Sequence, residues 1–439
     1  MSPASTDDAA NPRSSRLASP LLPIFLIVLV DVLGFTIILP LLPFFSERLG
    51  ATPTIVGALV AIYAVCQLIA GPILGQMSDR VGRRPILLVS QAGTLIGFLI
   101  LAFSTRIWMV FLARAIDGAT AGNLTIAQAY ISDVTKPENR AKSFALIGIA
   151  FGFGFTVGPA LAGYLAHFGY QAPIFAASAL SVTTILCTYF LLPRREVVHE
   201  YNEADDAAGP GGRRLSLISW GEYRKYFKNK ELSRLLKQWL LFSFSFATFI
   251  SGFALFAERT YTWNGRPFGP VQVGYIFALN GMLGIVMQGG LVGRMVKWMG
   301  ERNVVRLGFL VSAVVYAGIG FTHSIVPLLI LMLVGALGSG LRPALTSLIS
   351  QKAGKREQGV IIGLTQSLMS IAQITAPLIA GMLIGRADMH PPGAPENHLF
   401  LTIWAVWAGL LAGLALLFEL TPAEGTPAES PPVPEASHA

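Results

Sequence analysis

The sequence predicts an all-α integral membrane protein in which twelve transmembrane helices form two pseudo-symmetric six-helix bundles. Three observations predict it. The chain is 53% hydrophobic and only 13% charged, with a mean hydropathy of +0.60, whereas soluble domains carry roughly 25% charged residues. At about 20 apolar residues per crossing, the sequence divides into twelve long apolar runs. Its second half also repeats features of the first at an offset of 217 or 218 residues.

Residues 1–21 are rich in Ser, Ala, Asp and Pro and lack a hydrophobic core, which predicts a disordered tail. The apolar run that follows is too long for a cleaved signal peptide and reads as an uncleaved first helix. Crossings are expected near 22–45, 55–75, 86–104, 107–131, 142–166 and 173–193, the first bundle spanning 22–193. The second bundle, 235–420, takes 235–256, 271–293, 303–321, 325–348, 359–384 and 399–419. Between the bundles, polar residues 194–234 contain GPGGRR and then ISWGEYRKYFKNKELSRL. The latter's aromatics among basic residues fit an amphipathic surface helix as well as they fit an unstructured linker. Residues 421–439, with repeated Pro, Ala and Glu, predict a disordered C-terminus.

Orientation follows from the basic residues, since cytoplasmic loops retain Lys and Arg. The side holding the N-terminus and the turn at 76–85 carries 25 of the 32. The other side has five: Arg48, Arg106, Arg259, Arg266 and Arg386. Both termini are therefore expected in the cytoplasm, with an even number of crossings. The remaining two, Arg114 and Arg342, fall inside predicted helices.

The repeat is clearest where GGLVGRMVKWMGERN at 289–303 falls on GPILGQMSDRVGRRP at 71–85, matching Gly71, Gly75, Met77, Gly82 and Arg84 with Gly289, Gly293, Met295, Gly300 and Arg302. Pro159 and Gly163 fall on Pro377 and Gly381, and Gly118 on Gly335. Asp79 corresponds to Lys297, so the second copy of the turn is degenerate. Parallel repeats of this kind predict a substrate site near the midplane between two halves.

Several function classes fall away. Net charge +8 does not indicate nucleic acid, because the basic residues lie in loops rather than on a soluble face interleaved with stacking aromatics. Cys66 and Cys187 lie in apolar runs without C-x-x-C or His spacing and read as small buried hydrophobes. The six histidines show no H-E-x-x-H, and no phosphate-binding G-x-x-x-x-G-K-[ST] occurs. Paired catalytic acids and a nucleophile elbow are lacking too, so no metal site, cofactor or enzyme is expected.

What remains is charge inside the membrane. Asp31 lies within the first helix and Asp117 deep in the fourth, where a charge costs about 2.5 to 3.5 kcal/mol on insertion scales. Arg114 stands three residues before Asp117, on the same helical face. If Arg114 holds Asp117 ionised, Asp31 is free to gain and lose a proton. The alternative, Arg114 pairing with Asp31 across helices, leaves Asp117 as the titrating group. Glu419 lies at the cytoplasmic end of the last helix. Arg342, in GSGLRPALTS, either snorkels to the interface or serves an anion-attracting or gating role. Gln67, Gln128, Asn280, Gln288, Gln366 and Gln373 recur within helices as interhelical hydrogen bonds or cavity lining. Tyr63, Phe35, Phe277 and Trp404 could line a lipophilic cavity or serve packing. Asn123 with Thr125 formally spells a glycosylation site but lies within the membrane.

Two glycine-rich stretches complete the reading. In the fifth helix, GIAFGFGFTVGPALAG, small residues at four-residue spacing (Gly154, Gly158) permit close packing, and Pro159 before Gly163 introduces a kink. In the turn at 71–85, glycines Gly75 and Gly82 allow sharp geometry while Asp79, Arg80, Arg83 and Arg84 crowd it with charge that cannot sit in hydrocarbon.

This turn resembles the loop 2-3 signature of the major facilitator superfamily, and the fifth helix resembles the glycine-proline motif of its antiporters. With Arg114 and Gly118, and Asp31 with Gly34, Pro40 and Pro43, residues 22–420 resemble its twelve-helix drug:proton antiporter branch, within it the tetracycline-exporter-like group. LAFSTRIWM at 101–109 and EQGVIIGLTQSL at 357–368 are similar to that group too. The resemblance implies two bundles rocking about a midplane cavity, proton entry exchanged for substrate exit, and Asp79 latching the cytoplasmic side against the eleventh helix's positive end. It departs at Gly97 and Ser312, where tetracycline exporters carry further acids, so it does not extend to tetracycline as substrate.

The expected function is proton-coupled efflux of small amphipathic organic compounds through an inner membrane. Asp31 is the first choice of proton carrier, with Arg114 tuning it and Asp117 as second candidate. The coupling ion is the proton, no other cofactor is needed, and the partners are a small-molecule substrate and membrane lipid, the chain acting as a monomer. A proton symporter or facilitator for sugars or organic acids is the alternative transporter, and a transport-inactive membrane receptor or scaffold the alternative of another class.

Overall fold

The structure, a computed structural model, describes residues 21–135, 140–192, 226–352, 358–390 and 395–420. The tails and most of the linker predicted above lie outside the described residues. The first helices are α1 (Leu21–Arg48), α2 (Pro53–Val81), α3 (Arg83–Ala102), α4 (Ile107–Ala119), α5 (Asn123–Val134), α6 (Arg140–Leu165) and α7 (Gln171–Leu191). After the linker come α8 (Lys230–Thr260), a hairpin of β1 (Thr262–Trp263) and β2 (Arg266–Pro267), α9 (Pro270–Val286) and α10 (Val292–Met299). The chain continues as α11 (Glu301–Ile319), α12 (Ile325–Ala336), α13 (Leu341–Lys352), α14 (Gln358–Ala387) and α15 (Pro395–Leu420).

Among the described residues, eleven helical stretches are long and apolar enough to cross a membrane. The predicted fourth crossing, 107–131, is the exception: it is broken between Ala119 and Asn123, leaving α4 and α5 each too short to span. The predicted tenth crossing is interrupted at the equivalent place by a 3-10 segment, Leu337–Gly340, and the eighth by a π segment, Met287–Leu291. Such segments accommodate unsatisfied carbonyls without ending the crossing. The hairpin follows from Asn264-Gly265, both at positive φ (52° and 74°), which suits a two-residue turn.

The second half repeats the first in backbone detail. Gly82 (φ 103°, ψ 150°) and Gly300 (φ 80°, ψ 157°) each join two helices in a conformation closed to other residues. The side chains one position later exchange character. Arg83 donates to Asp133 (Nε to Oδ2, 2.8 Å), whereas Glu301 accepts from Gln351 (2.9 Å) and Ser347 (2.8 Å). The scaffold is kept and the polarity reversed.

Contacts group the chain into two compact units that depart from simple chain order. One takes 62–215 and 1–50 together with 270–281; the other takes 216–269 and 282–439 together with 51–61. Within the first unit, Ile24, Ile27, Val28 and Val32 of α1 pack with Leu74, Leu87, Ile126 and Ile131. Gly274 of α9 lies against α6, where a Cβ would sit 2.9 Å from the Pro159 carbonyl oxygen. In the second unit, Leu236 and Trp239 pack with Val305, Phe309, Leu345 and Leu364. There Gly57 of α2 lies against the Pro377 carbonyl of α14, the counterpart of the Gly274 contact. Small residues let these backbones approach, as close packing between membrane helices requires.

Glu419, 5% exposed, closes the second unit at one end. It accepts from Gln238 Nε2 (2.9 Å) and lies 3.6 Å from Arg306 and 3.8 Å from Arg234. Cys66 and Cys187 are free and half-buried rather than fully buried.

Gly57→Leu and Gly274→Leu are each expected to lower stability by about 1–3 kcal/mol through overpacking. Thermal unfolding in detergent checks this, with Gly148→Ala, where a Cβ meets nothing within 4 Å, expected to leave the midpoint unchanged.

Candidate functional site: the acidic cluster of the first unit

The site begins with the break in the fourth crossing. Thr120 ends α4 and turns its hydroxyl back to the Ile116 carbonyl (2.8 Å). Ser90 of α3 donates to the Thr120 carbonyl and accepts from the Gly122 N–H (3.1 Å), so one hydroxyl satisfies both sides of the gap. Gly93 makes room, since a Cβ there would overlap the Thr120 side chain. The chain resumes at Asn123, 7% exposed and the first residue of α5.

Asn123 delivers its amide to Asp31. Its Nδ2 donates to Asp31 Oδ1 at 2.7 Å. Among the described residues Asp31 has no cationic partner, and Asp117 lies within electrostatic range of it. The Asn123 amide oxygen is buried without a hydrogen-bond partner. An ionised carboxylate in an apolar span is costly without a counter-charge. Asp31 therefore sits in the one arrangement of the cluster where protonation carries no lost ion pair.

Arg114 settles the choice of partner. Its Nη1 donates to Asp117 Oδ2 at 2.8 Å, both side chains about 95% buried (5% and 6% exposed). Thr94 gives Asp117 a further hydrogen bond. Of the two pairings open to the sequence, the structure makes the one along α4, and Arg114 does not reach Asp31. The guanidinium also lies 4.2 Å from the centroid of Tyr63, a favourable cation–π geometry. Tyr63 stacks on Phe35 at 5.8 Å and accepts from Gln67 at 3.3 Å. Gly118 lets α4 meet α2, a Cβ there falling 2.5 Å from the Tyr63 carbonyl oxygen. Gly97 plays the same part for α3: a Cβ would meet Ala113 O and Asp117 Cβ at 3.0 Å. An acid at position 97 would not fit this packing.

The fifth-helix motif holds α1 in place. Thr36, one turn beyond Asp31, donates to its own helix at Val32 O and to Gly154 O, each at 2.8 Å. Gly154 lies on Val32 and Gly158 on Thr36, with no room for side chains. Gly163, past Pro159, meets Gly274 at 2.8 Å from its added Cβ.

The polar turn is a separate cluster. Arg83 pairs with Asp79 and with Asp133, and donates to Ser78 Oγ (2.7 Å), tying α2, α3 and α5 together. Arg84 donates to the Tyr189 carbonyl (2.5 Å) and lies over its ring. Arg80 is exposed, and Gly75 lies against the Thr125 methyl at 3.4 Å from an added Cβ.

The structure gathers Asp31, Tyr63, Gln67, Arg114 and Asp117 into one cluster. Gln128 of the first unit is half-buried and Asn280 exposed, neither in a side-chain bond with that cluster; Gln288, Arg342, Gln366 and Gln373 belong to the second unit. Trp404 is fully buried, bonds Thr248 O at 3.1 Å and packs on Phe249 and Phe256, so it is core rather than cavity lining. Phe277 is likewise buried. Asn123, Ser90 and Asp133 were missed. A signal existed for Asn123: GATAGN places two glycines and a threonine inside an apolar run, which favours a break.

The Major Facilitator Superfamily profile matches residues 24–377. The chain is similar to the class B tetracycline resistance protein of Escherichia coli, 31% identical over 422 residues that cover 92% of this chain and 97% of that protein. It is similar to multidrug resistance protein 2 of Bacillus subtilis, 26% identical over 381 residues, 84% of this chain and 90% of that one. Among solved structures, the human organic anion transporter MFSD10 (TETRAN) matches with TM-score 0.64 at 22% identity, covering 91% of this chain and 99% of its own. A bacterial homolog of the human lysosomal transporter Spinster, inward-facing and unoccupied, gives TM-score 0.69 at 15% identity, covering 91% and 95%. Both share the fold.

Because Arg114 and Asp117 are buried together, Arg114→Ala or Asp117→Ala alone is expected to cost about 3–5 kcal/mol. The double variant is expected to cost less than the sum, as a double-mutant cycle of thermal unfolding in detergent will read out.

Proposed function

The chain belongs to the Major Facilitator Superfamily, and from that premise we propose that it is a proton-coupled exporter of small amphipathic organic compounds, with Asp31 as the proton carrier. It is an integral membrane transporter rather than an enzyme. The observation that carries the proposal is the Asp31 carboxylate, bonded to the Asn123 amide and without a cation among the described residues. Twelve crossings, counting α4 and α5 as one, with both termini cytoplasmic, agree with the 25 basic residues on that side. The names of the tetracycline and multidrug resistance relatives favour efflux.

Asp117 is paired with Arg114 at 2.8 Å, and two nearby carboxylates in an apolar setting disfavour both being ionised. That leaves the proton to Asp31. Protonation and substrate then favour opposite facing states of the transporter, each shifting the equilibrium only by its differential affinity. The α1–α6 seam at Thr36 and Gly154 ties the carrier residue to the glycine-proline helix. The Arg83 cluster fixes the turn that carries Asp79.

In inside-out vesicles, an acid lumen is expected to drive labelled substrate inward for an antiporter and outward for a symporter. Asp31→Asn is expected to abolish the gradient-driven component and, in cells, drug resistance. Equal resistance across a compound panel would overturn the proposal. Asn123→Leu is expected to slow transport about tenfold, the cost of one hydrogen bond to a charged group.

A further inference from the structure

The second unit holds a cation with no matching anion. Arg342 stands at the start of α13, and its nearest hydrogen-bonding atom is the Met369 sulfur of α14, 3.9 Å from Nη2. Among the described residues no carboxylate pairs with it, as with the exposed Arg294, Lys297 and Arg386, whereas Arg234, Arg259, Arg302, Arg306 and Lys352 of the same unit each reach one. Leu341, one residue earlier, is seated against Gly308 of α11, which turns Arg342 away from α11 and toward α14.

Arg342 is exposed at the surface of its unit, well inside the crossing Ile325–Lys352. Met369 lies eleven residues into α14, ~16 Å from its first turn, and Arg342 lies ten residues before Lys352 at the end of α13, ~15 Å away. A charge held at that depth faces a water-filled cavity or protein interior rather than lipid. The α14 face beside it is polar in keeping. Gln366 and Gln373, three before and four after Met369, share its helical face. Their side-chain amides make no hydrogen bond among the described residues, and Gln366 is exposed. Arg342 offers five N–H donors in a planar fork suited to a carboxylate.

We propose that Arg342, assisted by Gln366 and Gln373, binds an anionic group, such as a carboxylate, on the transported compound. The inference rests on the transport reading above and adds to it cargo that carries negative charge.

Two dyes test it in inside-out vesicles with an acid lumen: anionic carboxyfluorescein and cationic rhodamine 6G. Wild type is expected to accumulate carboxyfluorescein. Arg342→Gln is expected to lose at least tenfold of that rate with the rhodamine 6G rate unchanged, and Arg342→Lys to retain part of it. Equal loss for both dyes, or no loss for carboxyfluorescein, overturns the anion site and leaves the efflux reading standing. If neither dye responds to the gradient, the efflux reading fails, and fluorescence anisotropy with purified full-length protein decides the anion site alone. There, carboxyfluorescein binding weakened at least tenfold by Arg342→Gln supports the site, and absent or unaltered binding overturns it.

Discussion

A carboxylate inside an apolar span must find a counter-charge, shed its own, or be released to water. Asp31 has none of the first among the described residues, only the Asn123 amide at 2.7 Å. Much of the first unit can be read as the means of meeting that constraint. The fourth crossing is broken so that Asn123 begins a new helix beside α1, and the break is tolerable because Ser90 satisfies both of its backbone ends. Gly93 and Gly97 bring α3 close enough for this, and Gly154 and Gly158 let α1 be tied to α6 through Thr36. Arg114, spent on Asp117 at 2.8 Å, does not quench Asp31.

The repeat shows how one scaffold carries two chemistries. Gly82 and Gly300 keep the same left-handed turn, and the fourth and tenth crossings are interrupted at equivalent positions. The charged groups are not repeated. Acid is concentrated mid-span in the first unit, where Asp31 and Asp117 lie, while the second unit offers Arg342 and neutral amides. Arg83 with Asp133 becomes Glu301 with Gln351. Backbone geometry is constrained by close approach and positive φ, which tolerate few residues, whereas polar side chains can be exchanged wherever the partner changes with them.

Composition and hydropathy made the fold legible, because a membrane span leaves few alternatives to a helix. The superfamily was legible from the turn at 71–85 and the glycine-proline helix, since both depend on local geometry that glycine and proline spell directly. Asp31, Arg114 and Asp117 were visible because ionisable residues in apolar runs are rare. The partner choice was less so: three-residue spacing allowed Arg114 to meet Asp117 but could not exclude Asp31, which is 83 residues away. Asn123 was passed over because a polar amide in a span has many uses, and only the break aims it at α1. Trp404 was unreadable for the complementary reason, since an indole in a membrane helix packs or lines a cavity according to neighbours such as Gly252 that are distant in sequence.

The central claim is that Asp31 takes up and gives off the proton while Asp117 stays charged. Infrared difference spectroscopy of the purified protein across a pH titration observes this directly, through the carbonyl stretch of a protonated carboxyl. The account predicts a titrating carboxyl band that Asp31→Asn removes and Asp117→Asn retains. A band that survives Asp31→Asn and vanishes with Asp117→Asn would contradict it.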